Sequence, residues 1–317
     1  MKAIRVTEFG GPEKLVLAEV PDPKPAAGEV LVDLQAIGVN PFETLMLAGT
    51  YAIKPQLPFT PGVDGAGIVS SVGDGVTAFK KGDRVYIAGS LTGTYAQKSI
   101  SKASQLHRFS DHVSFEQGAA VGVPYATAYR GVVHKAKGQK GETILIHGAS
   151  GGTGLAAVQI ANSLSMTVIG TASTDKGRQI ILHQGAAHAL NHGQKDEVLK
   201  ITGGKGVNVI IEMLANKNLA SDLSMIAFRG RIVIIGSRGN IDITPRDIMA
   251  RESDVSGFTL WNVPEPDLAS IHDAIVKGLE SGAFKPVIDE VIPLAEAQRA
   301  HEAILAPGTF GKIVMKP

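Results

Sequence analysis

Residues 142–154 read Glu-Thr-Ile-Leu-Ile-His-Gly-Ala-Ser-Gly-Gly-Thr-Gly, and they constrain the fold more than any other stretch. Thr143 to Ile146 is a short β-branched and apolar run, the pattern of a strand buried on both faces. Gly148, Gly151, Gly152 and Gly154 follow it, and Leu155 to Ala161 is then rich in helix formers. Ala149 to Gly154 fits Gly-x-Gly-x-x-Gly with alanine in the first place. Residues with no Cβ, or the smallest side chain, let a backbone approach a pyrophosphate closely. The first amides of the following helix then face that anion, aided by the helix dipole. The plain reading is a glycine-rich loop with no ligand. The strand–turn–helix context weighs against it, because the pattern carries meaning only on such a junction.

The chain has 317 residues, enough for two domains of common size. Hydrophobic residues make up 44% and charged residues 19%, which excludes a disordered chain. A formal net charge of +1 gives no field that would argue for nucleic acid or a membrane surface. Cysteine is absent, which removes disulfides, thiolate metal sites and a cysteine nucleophile together. Residues 1–10 lack the apolar block of a signal peptide, and no uncharged run is long enough to span a bilayer. A cytoplasmic protein is the expectation.

Residues 1–120 read as mostly β. Strands are predicted over Lys2–Phe9, Leu15–Val20, Glu29–Val39, Gly65–Val72 and Asp83–Ala88, with a helical turn over Phe42–Leu47. Gly and Pro punctuate them, which suggests a compact barrel-like β domain. Ser114 with Gln117 forms a capping-box pattern opening a helix towards Gly118–Gly122, and Pro124–Val133 reads as a second helix. From Glu142 strands alternate with helices. The predicted strands are 143–147, 167–171, 187–190, 207–212, 230–236 and 255–259. The predicted helices lie near 152–164, 175–184, 194–202 and 216–227. That alternation predicts an α/β, doubly wound parallel sheet over 121–264. Asp267–Ser281 and Pro293–Leu305 read as helices and Ile313–Met315 as a last strand. The segment 265–317 is expected to complete the first domain.

An NAD-binding unit usually places Asp or Glu at the tip of its second strand, roughly 20 residues past the glycines. Here the tip reads Gly170-Thr-Ala-Ser173-Thr174-Asp175-Lys176-Gly-Arg178. Asp175 falls at a helix start, which suits a cap. Ser173 and Thr174 offer hydroxyls, and Lys176 and Arg178 offer positive charge. These residues favour a 2′-phosphate, so the cofactor expected is NADPH rather than NADH.

Gly38-Val-Asn-Pro-Phe-Glu-Thr44, Pro58 to Ile68, Lys80-Lys-Gly-Asp-Arg-Val85 and His147 to Gly154 resemble the zinc-independent medium-chain dehydrogenase/reductases. Ile210-Ile-Glu-Met-Leu-Ala-Asn216, Ile235-Gly-Ser-Arg-Gly239 and Thr244-Pro-Arg-Asp247 resemble the zeta-crystallin branch, the NADPH:quinone oxidoreductases. The resemblance implies a GroES-like catalytic domain, a Rossmann NADPH-binding domain and a cleft between them. It also implies a homo-oligomer, dimer or tetramer. Matched residue by residue, Ser150, Gly151, Gly152 and Thr153 fall in the pyrophosphate loop. Ser173, with Lys176 nearby, falls beside the adenosine ribose, and His192 falls near the adenosine phosphate. Asn218, then Ile235, Gly236, Ser237 and Arg238, match cofactor contacts, and Phe258, Thr259 and Leu260 fall near the nicotinamide. Where the family has a tyrosine near that ring, this chain has Leu45. Tyr51 remains, six residues on.

Zinc-dependent relatives carry Gly-His-Glu where this chain has Gly62-Val63-Asp64. Valine ligates no metal, so no catalytic metal is expected. Without a Lewis acid, the acceptors that suit hydride transfer are electron-poor quinones and conjugated enones. The candidate catalytic residues are Asn40 and Tyr51 as hydrogen-bond donors and Asp64 as an orienting group. Trp261 and Arg238 are further candidates to line the cleft, and His147 reads as a packed turn residue. Three readings stand: a quinone reductase, a reductase of α,β-unsaturated aldehydes or ketones, and a non-catalytic NADPH-binding protein with a structural or RNA-binding role. The last is weakest, since no basic stripe with interleaved aromatics is present.

Overall fold

In the computed structural model, which describes residues 1–317, the chain divides into two units. The first is Met1–Val123 with His272–Pro317, and the second is Pro124–Ile271. In chain order the first unit opens with β1 (Lys2–Arg5), β2 (Val16–Glu19), β3 (Glu29–Gly38), α1 (Pro41–Leu47), β4 (Asp64–Val72), β5 (Arg84–Ala88), β6 (Lys98–Lys102), β7 (Leu106–Arg108) and α2 (Phe115–Ala119). Then come α3 (Gly122–Tyr129), β8 (Thr143–Ile146), α4 (Gly152–Ser163), β9 (Thr167–Thr171), α5 (Asp175–His183), β10 (His188–Leu190), α6 (Lys195–Ile201) and β11 (Val207–Glu212). The chain continues with α7 (Ala215–Met225), β12 (Ile226–Ile234), α8 (Pro245–Arg251), β13 (Asp254–Gly257), α9 (Glu265–Glu280), β14 (Ile288–Pro293), α10 (Ala297–Ala303) and β15 (Lys312–Lys316).

The first unit is built around β3, whose Val30, Leu31, Val32, Leu34, Ala36 and Ile37 are all buried. A strand apolar on both faces needs cover on both sides. β3 pairs antiparallel with β4, β6 and β15 in a sheet that runs β14-β15-β3-β4-β5-β7, and its faces are covered by the apolar cluster of this unit and by α2. Ile4, Val32, Ile37, Val69, Val85, Ile87, Ile313 and Met315 pack in one cluster with these strands. The last segment thus completes the first sheet: Val314 lies opposite Gly38 and Met315 opposite Ile37. Ser114 and Gln117 form the expected reciprocal cap, Gln117 N–H donating to Ser114 Oγ at 3.2 Å and Ser114 N–H to Gln117 Oε1 at 3.0 Å.

The second unit holds six parallel strands in the order β10-β9-β8-β11-β12-β13. Numbered within the unit this is 3-2-1-4-5-6, so the order reverses between β8 and β11. A ligand crevice belongs outside the carboxyl ends of the strands at such a reversal. α4 is buried all round from Gly154 to Ala161, which explains why that stretch is all small or aliphatic apart from Gln159.

Several local expectations are corrected. The region from Pro124 to Val133 is α3 followed by a π-helix over Arg130–Lys135. Pro293 ends β14 rather than opening a helix, and the helix proper begins at Ala297 after a 3-10 turn. β12 starts at Ile226, four residues before the predicted strand, with Arg229 at φ 58° inside it. β6, β7, β14 and α8 had no predicted counterpart. Each is short and lacks a clean period, so its conformation is set by its pairing or packing partners. No helix is long and apolar enough to cross a membrane.

Candidate active site

The chemistry-bearing residues of the second unit gather at one edge of its sheet. β8 ends into Gly148–Gly154, β9 into Ser173–Arg178, β10 into His192, β11 towards Asn218, β12 into Ile235–Arg238 and β13 into Phe258–Leu260. All six strands are parallel, so these segments all leave carboxyl ends. Gly148 takes φ +56°, the left-handed value that turns the chain out of β8. Gly151 caps α4, whose first helical hydrogen bond runs from Leu155 N–H to Gly151 O at 2.8 Å. The amides of Gly152, Thr153 and Gly154 precede that bond and are the open donors of the helix start. A Cβ on Gly154 would lie 2.4 Å from Gly148 O and 2.6 Å from Ala149 Cα. Gly154 is therefore the glycine that lets helix and strand close up. A Cβ on Gly151 would meet nothing nearer than 3.6 Å, which leaves that face accessible to a phosphate. This cradle fits the pyrophosphate of a dinucleotide.

Thr171, buried at the end of β9, ties the loop to its neighbour. Its Oγ1 accepts from Gly148 N–H at 3.3 Å and lies 3.0 Å from His192 Nδ1. Burial, with His147 nearby, holds His192 below the usual imidazole range. The cap of α5 is Thr174, whose hydroxyl accepts from Gly177 N–H at 3.0 Å, and not Asp175 as the sequence suggested. A β-region Thr can turn its hydroxyl back onto the third amide, whereas Asp175 already lies in the helix and pairs with Arg178. Arg178 also donates to Ala172 O at 3.0 Å, so much of its charge is committed locally. Ser173 and Lys176 are exposed at the same tip. Gly236 sits where a Cβ would lie 2.4 Å from Met213 O, and Arg238 N–H donates to Asn216 Oδ1 at 2.9 Å.

Beneath this edge lies a cluster that the sequence did not disclose. His147 Nε2 is 2.8 Å from Asp222 Oδ1 and 3.5 Å from Glu212 Oε2, and all three side chains are buried. Glu212 Oε1 accepts from Leu214 N–H and from Asn218 Nδ2, so this carboxyl fixes the candidate cofactor residue Asn218. Burial pushes both Glu212 and Asp222 up to about 7. Glu212 Oε2 and Asp222 Oδ2 make no hydrogen bond within the protein. The three donor atoms lie within 4.8 Å of one another, a spacing that also suits a cation. Burial disfavours His147's protonated form, so its Nε2 is set by its contact with Asp222.

In the first unit Asn40 and Asp64 are in contact. Asn40 Nδ2 donates to Asp64 Oδ2 at 3.0 Å and faces Glu43 Oε1 at 3.5 Å, and both residues are buried. Each amide hydrogen of Asn40 is thus taken up inside the protein. Asp64 Oδ1 accepts from Val123 N–H at 2.9 Å. Two residues absent from the sequence-based set complete the group. Lys312 Nζ donates to Asn40 Oδ1 at 2.5 Å and to Asp64 Oδ2 at 3.1 Å. Glu43 Oε2 accepts from Asn40 N–H and from Tyr95 Oη, each at 2.8 Å. Tyr95 Oη also lies 3.0 Å from His301 Nε2. Burial pushes the Glu43 carboxyl up to about 7 against the pull of Lys312. Tyr51, half-buried after α1, has its ring 5.4 Å from that of Phe42, and Leu45 is 46% exposed. A cavity of about 390 Å³ in this unit is bordered by Arg5, Glu43, Met46, Pro58, Thr60 and Thr92. Lys312 and Glu43 could have been suspected from sequence only as charges in apolar surroundings, since Lys312 opens the last apolar strand.

Two sequence families match the chain. The alcohol dehydrogenase GroES-like domain covers residues 26–157 and the zinc-binding dehydrogenase domain covers residues 152–276. The quinone oxidoreductase of Homo sapiens is 45% identical over 99% of this chain and 97% of its own length. The chain belongs to the quinone oxidoreductase family. Its fold agrees with that membership. The quinone oxidoreductase of Escherichia coli, solved with NADPH, superposes with a TM-score of 0.90 at 31% identity, covering all of both chains. An NAD-dependent alcohol dehydrogenase superposes with a TM-score of 0.94 at 28% identity, again over all of both chains. The quinone oxidoreductase family and the wider dehydrogenases thus share both the GroES-like unit and the Rossmann-like parallel sheet seen here.

Proposed function

We propose that this protein reduces quinones with NADPH by hydride transfer and without a metal. The observation that carries the reading is the convergence of all cofactor-matched segments on the carboxyl edge of a 3-2-1-4-5-6 parallel sheet. Bound NADPH supplies the hydride. The chain's own residues bind and orient. The amides of Gly152 and Thr153, with Ser150 and Gly151, receive the pyrophosphate. Ser173 and Lys176 take the adenosine ribose and its 2′-phosphate, and His192 stands at the adenosine phosphate. Asn218, held by Glu212, together with Ile235 to Arg238 and Phe258 to Leu260, lines the remainder of the cofactor path. Tyr51 is the substrate-side residue, while Asn40 and Asp64 act as its support. That support role replaces direct donation by Asn40, whose amide hydrogens are engaged within the protein. A cytoplasmic homo-oligomer, dimer or tetramer, belongs to the same reading.

Steady-state assays with NADPH and 1,2-naphthoquinone, p-benzoquinone or an alkenal test it. Turnover of the quinones with NADPH, at a kcat/KM at least tenfold above that with NADH, is the expected result. Turnover of the alkenal alone would move the assignment to enone reduction. Binding of NADPH without turnover of any acceptor would remove the enzymatic reading.

A further inference from the structure

Lys312 is an expensive residue to bury. Its side chain is 4% exposed, and that of Asp64 is fully enclosed. A buried ion pair is rarely more stable than apolar residues of the same volume, so stability alone does not explain it. The backbone around the group is kept bare. A Cβ on Gly38 would lie 2.0 Å from Ala119 O and 2.9 Å from Lys312 Cε, and one on Gly122 would lie 2.3 Å from Asp64 Oδ1. Three elements bring the group together. The register that sets Val314 opposite Gly38 brings Lys312 to Asn40, and Gly38 pairs with Asp64 on β4. Asn40 is the N-cap residue of α1. From α1 the chain turns at once into Tyr51, whose N–H donates to Leu45 O at 3.2 Å.

We propose that Lys312 is a positioning residue, which by holding the Asn40 amide at the head of α1 sets where the α1–Tyr51 segment meets a planar aromatic quinone. The proposal rests on the quinone reductase reading. The ammonium accepts nothing, so it forces Oδ1 of Asn40 towards itself and Nδ2 towards Asp64 and Glu43. Neutral methionine would fill the same space but leave Asn40 Oδ1 without its donor, so the amide would be held through Nδ2 alone. Asp64 would then be a buried carboxylate without its cation, with Glu43, Tyr95 and His301 the other titratable groups in the network. The orientation of α1's first turn, and with it Tyr51, would then rest on the Glu43 contacts without the lysine.

The test compares wild type with Lys312→Met, Lys312→Arg and the charge-free double variant Asp64→Asn/Lys312→Met, which removes the unpaired carboxylate if the single variant folds poorly. The dissociation constant for NADPH is expected to stay within twofold, since no cofactor-matched residue touches Lys312. The kcat/KM for 1,2-naphthoquinone should fall at least tenfold in both variants that replace the lysine by methionine, and Lys312→Arg should recover most of it. In a Tyr51→Ala background, Lys312→Met should cause little further loss, because both changes act on one segment. Nitration of Tyr51 by tetranitromethane in the cofactor-free protein, read by mass spectrometry, should rise several-fold in Lys312→Met. That last measurement needs no turnover: a wild type inactive on quinones with altered Tyr51 labelling in the variant would refute the function and keep the positioning role. Unchanged kcat/KM and labelling in folded Lys312→Met, or full additivity with Tyr51→Ala, would overturn the proposal.

Discussion

Glu43 shows how much a single buried side chain decides. Its carboxyl takes hydrogen bonds from Asn40, Val63 and Tyr95 and lies next to the Asp64–Lys312 pair. In the unfolded chain such a carboxyl releases its proton near 4.5, and in the folded protein it does so at about 7. Between those values the folded state holds a proton that the unfolded state has lost. Raising the pH through that window therefore removes stability, by up to about 3 kcal/mol for this one group, and the loss levels off above it. Glu212 and Asp222, also raised to about 7, act in the same direction. Buried histidines held below their usual range, His107, His272 and His301 among them, act in the opposite direction between pH 5 and pH 8, so Glu43 is isolated by comparison with a variant. In urea unfolding, Glu43→Gln, which cannot titrate, should be less stable than wild type at pH 5 and should close that gap at pH 8. A gap that is the same at both pH values would mean that Glu43 titrates as an ordinary carboxyl. The second residue-scale expectation concerns Lys176 and Arg178. Alanine at both should raise the KM for NADPH by on the order of tenfold, a loss of ~1.4 kcal/mol, and that for NADH far less.

At the scale of elements, the junction of β8 with α4 assigns separate tasks to its glycines. Gly154 faces backbone at distances no Cβ tolerates, so Gly154→Ala must push helix from strand and is expected to cost about 1–3 kcal/mol. Gly151 has φ −75° and open space, so Gly151→Ala should leave thermal stability nearly unchanged. The new methyl would instead stand in the path of the phosphates and weaken NADPH binding on the order of tenfold. Differential scanning fluorimetry and calorimetric titration separate the two outcomes, and equal effects on Tm from both variants would remove the distinction. This junction was legible because strand, glycines and helix are contiguous, so local chemistry is enough. Elements such as β6, β7 and β14 were not, since their residues mix polar and apolar without a period. Only pairing with β3, β5 and β15 makes them strands.

For the molecule as a whole, a cofactor that binds only the folded state raises stability by mass action. NADPH at one hundred times its dissociation constant should add ~2.7 kcal/mol, and the melting temperature should climb with the logarithm of its concentration. NADH at the same concentration should add less, and alanine at Lys176 and Arg178 should narrow the gap. No shift with NADPH would count against the dinucleotide cradle itself.

The sequence by itself determined the parallel sheet, the glycine turn between strand and helix and the family, because each is written in short contiguous runs such as Thr143 to Gly154 and Ile210 to Asn216. Tertiary structure alone decided the polar network of the first unit. Asn40, Glu43, Asp64, Tyr95, His301 and Lys312 come from distant parts of the chain, and although the last segment was expected to return to the first domain, no spacing along it reveals the register on β3 that brings Lys312 to Asn40. The same holds for His147, Glu212 and Asp222, which read separately as a turn residue, a strand end and a helix position. Buried charges find their partners through sheet register and packing, and those are properties of the folded chain.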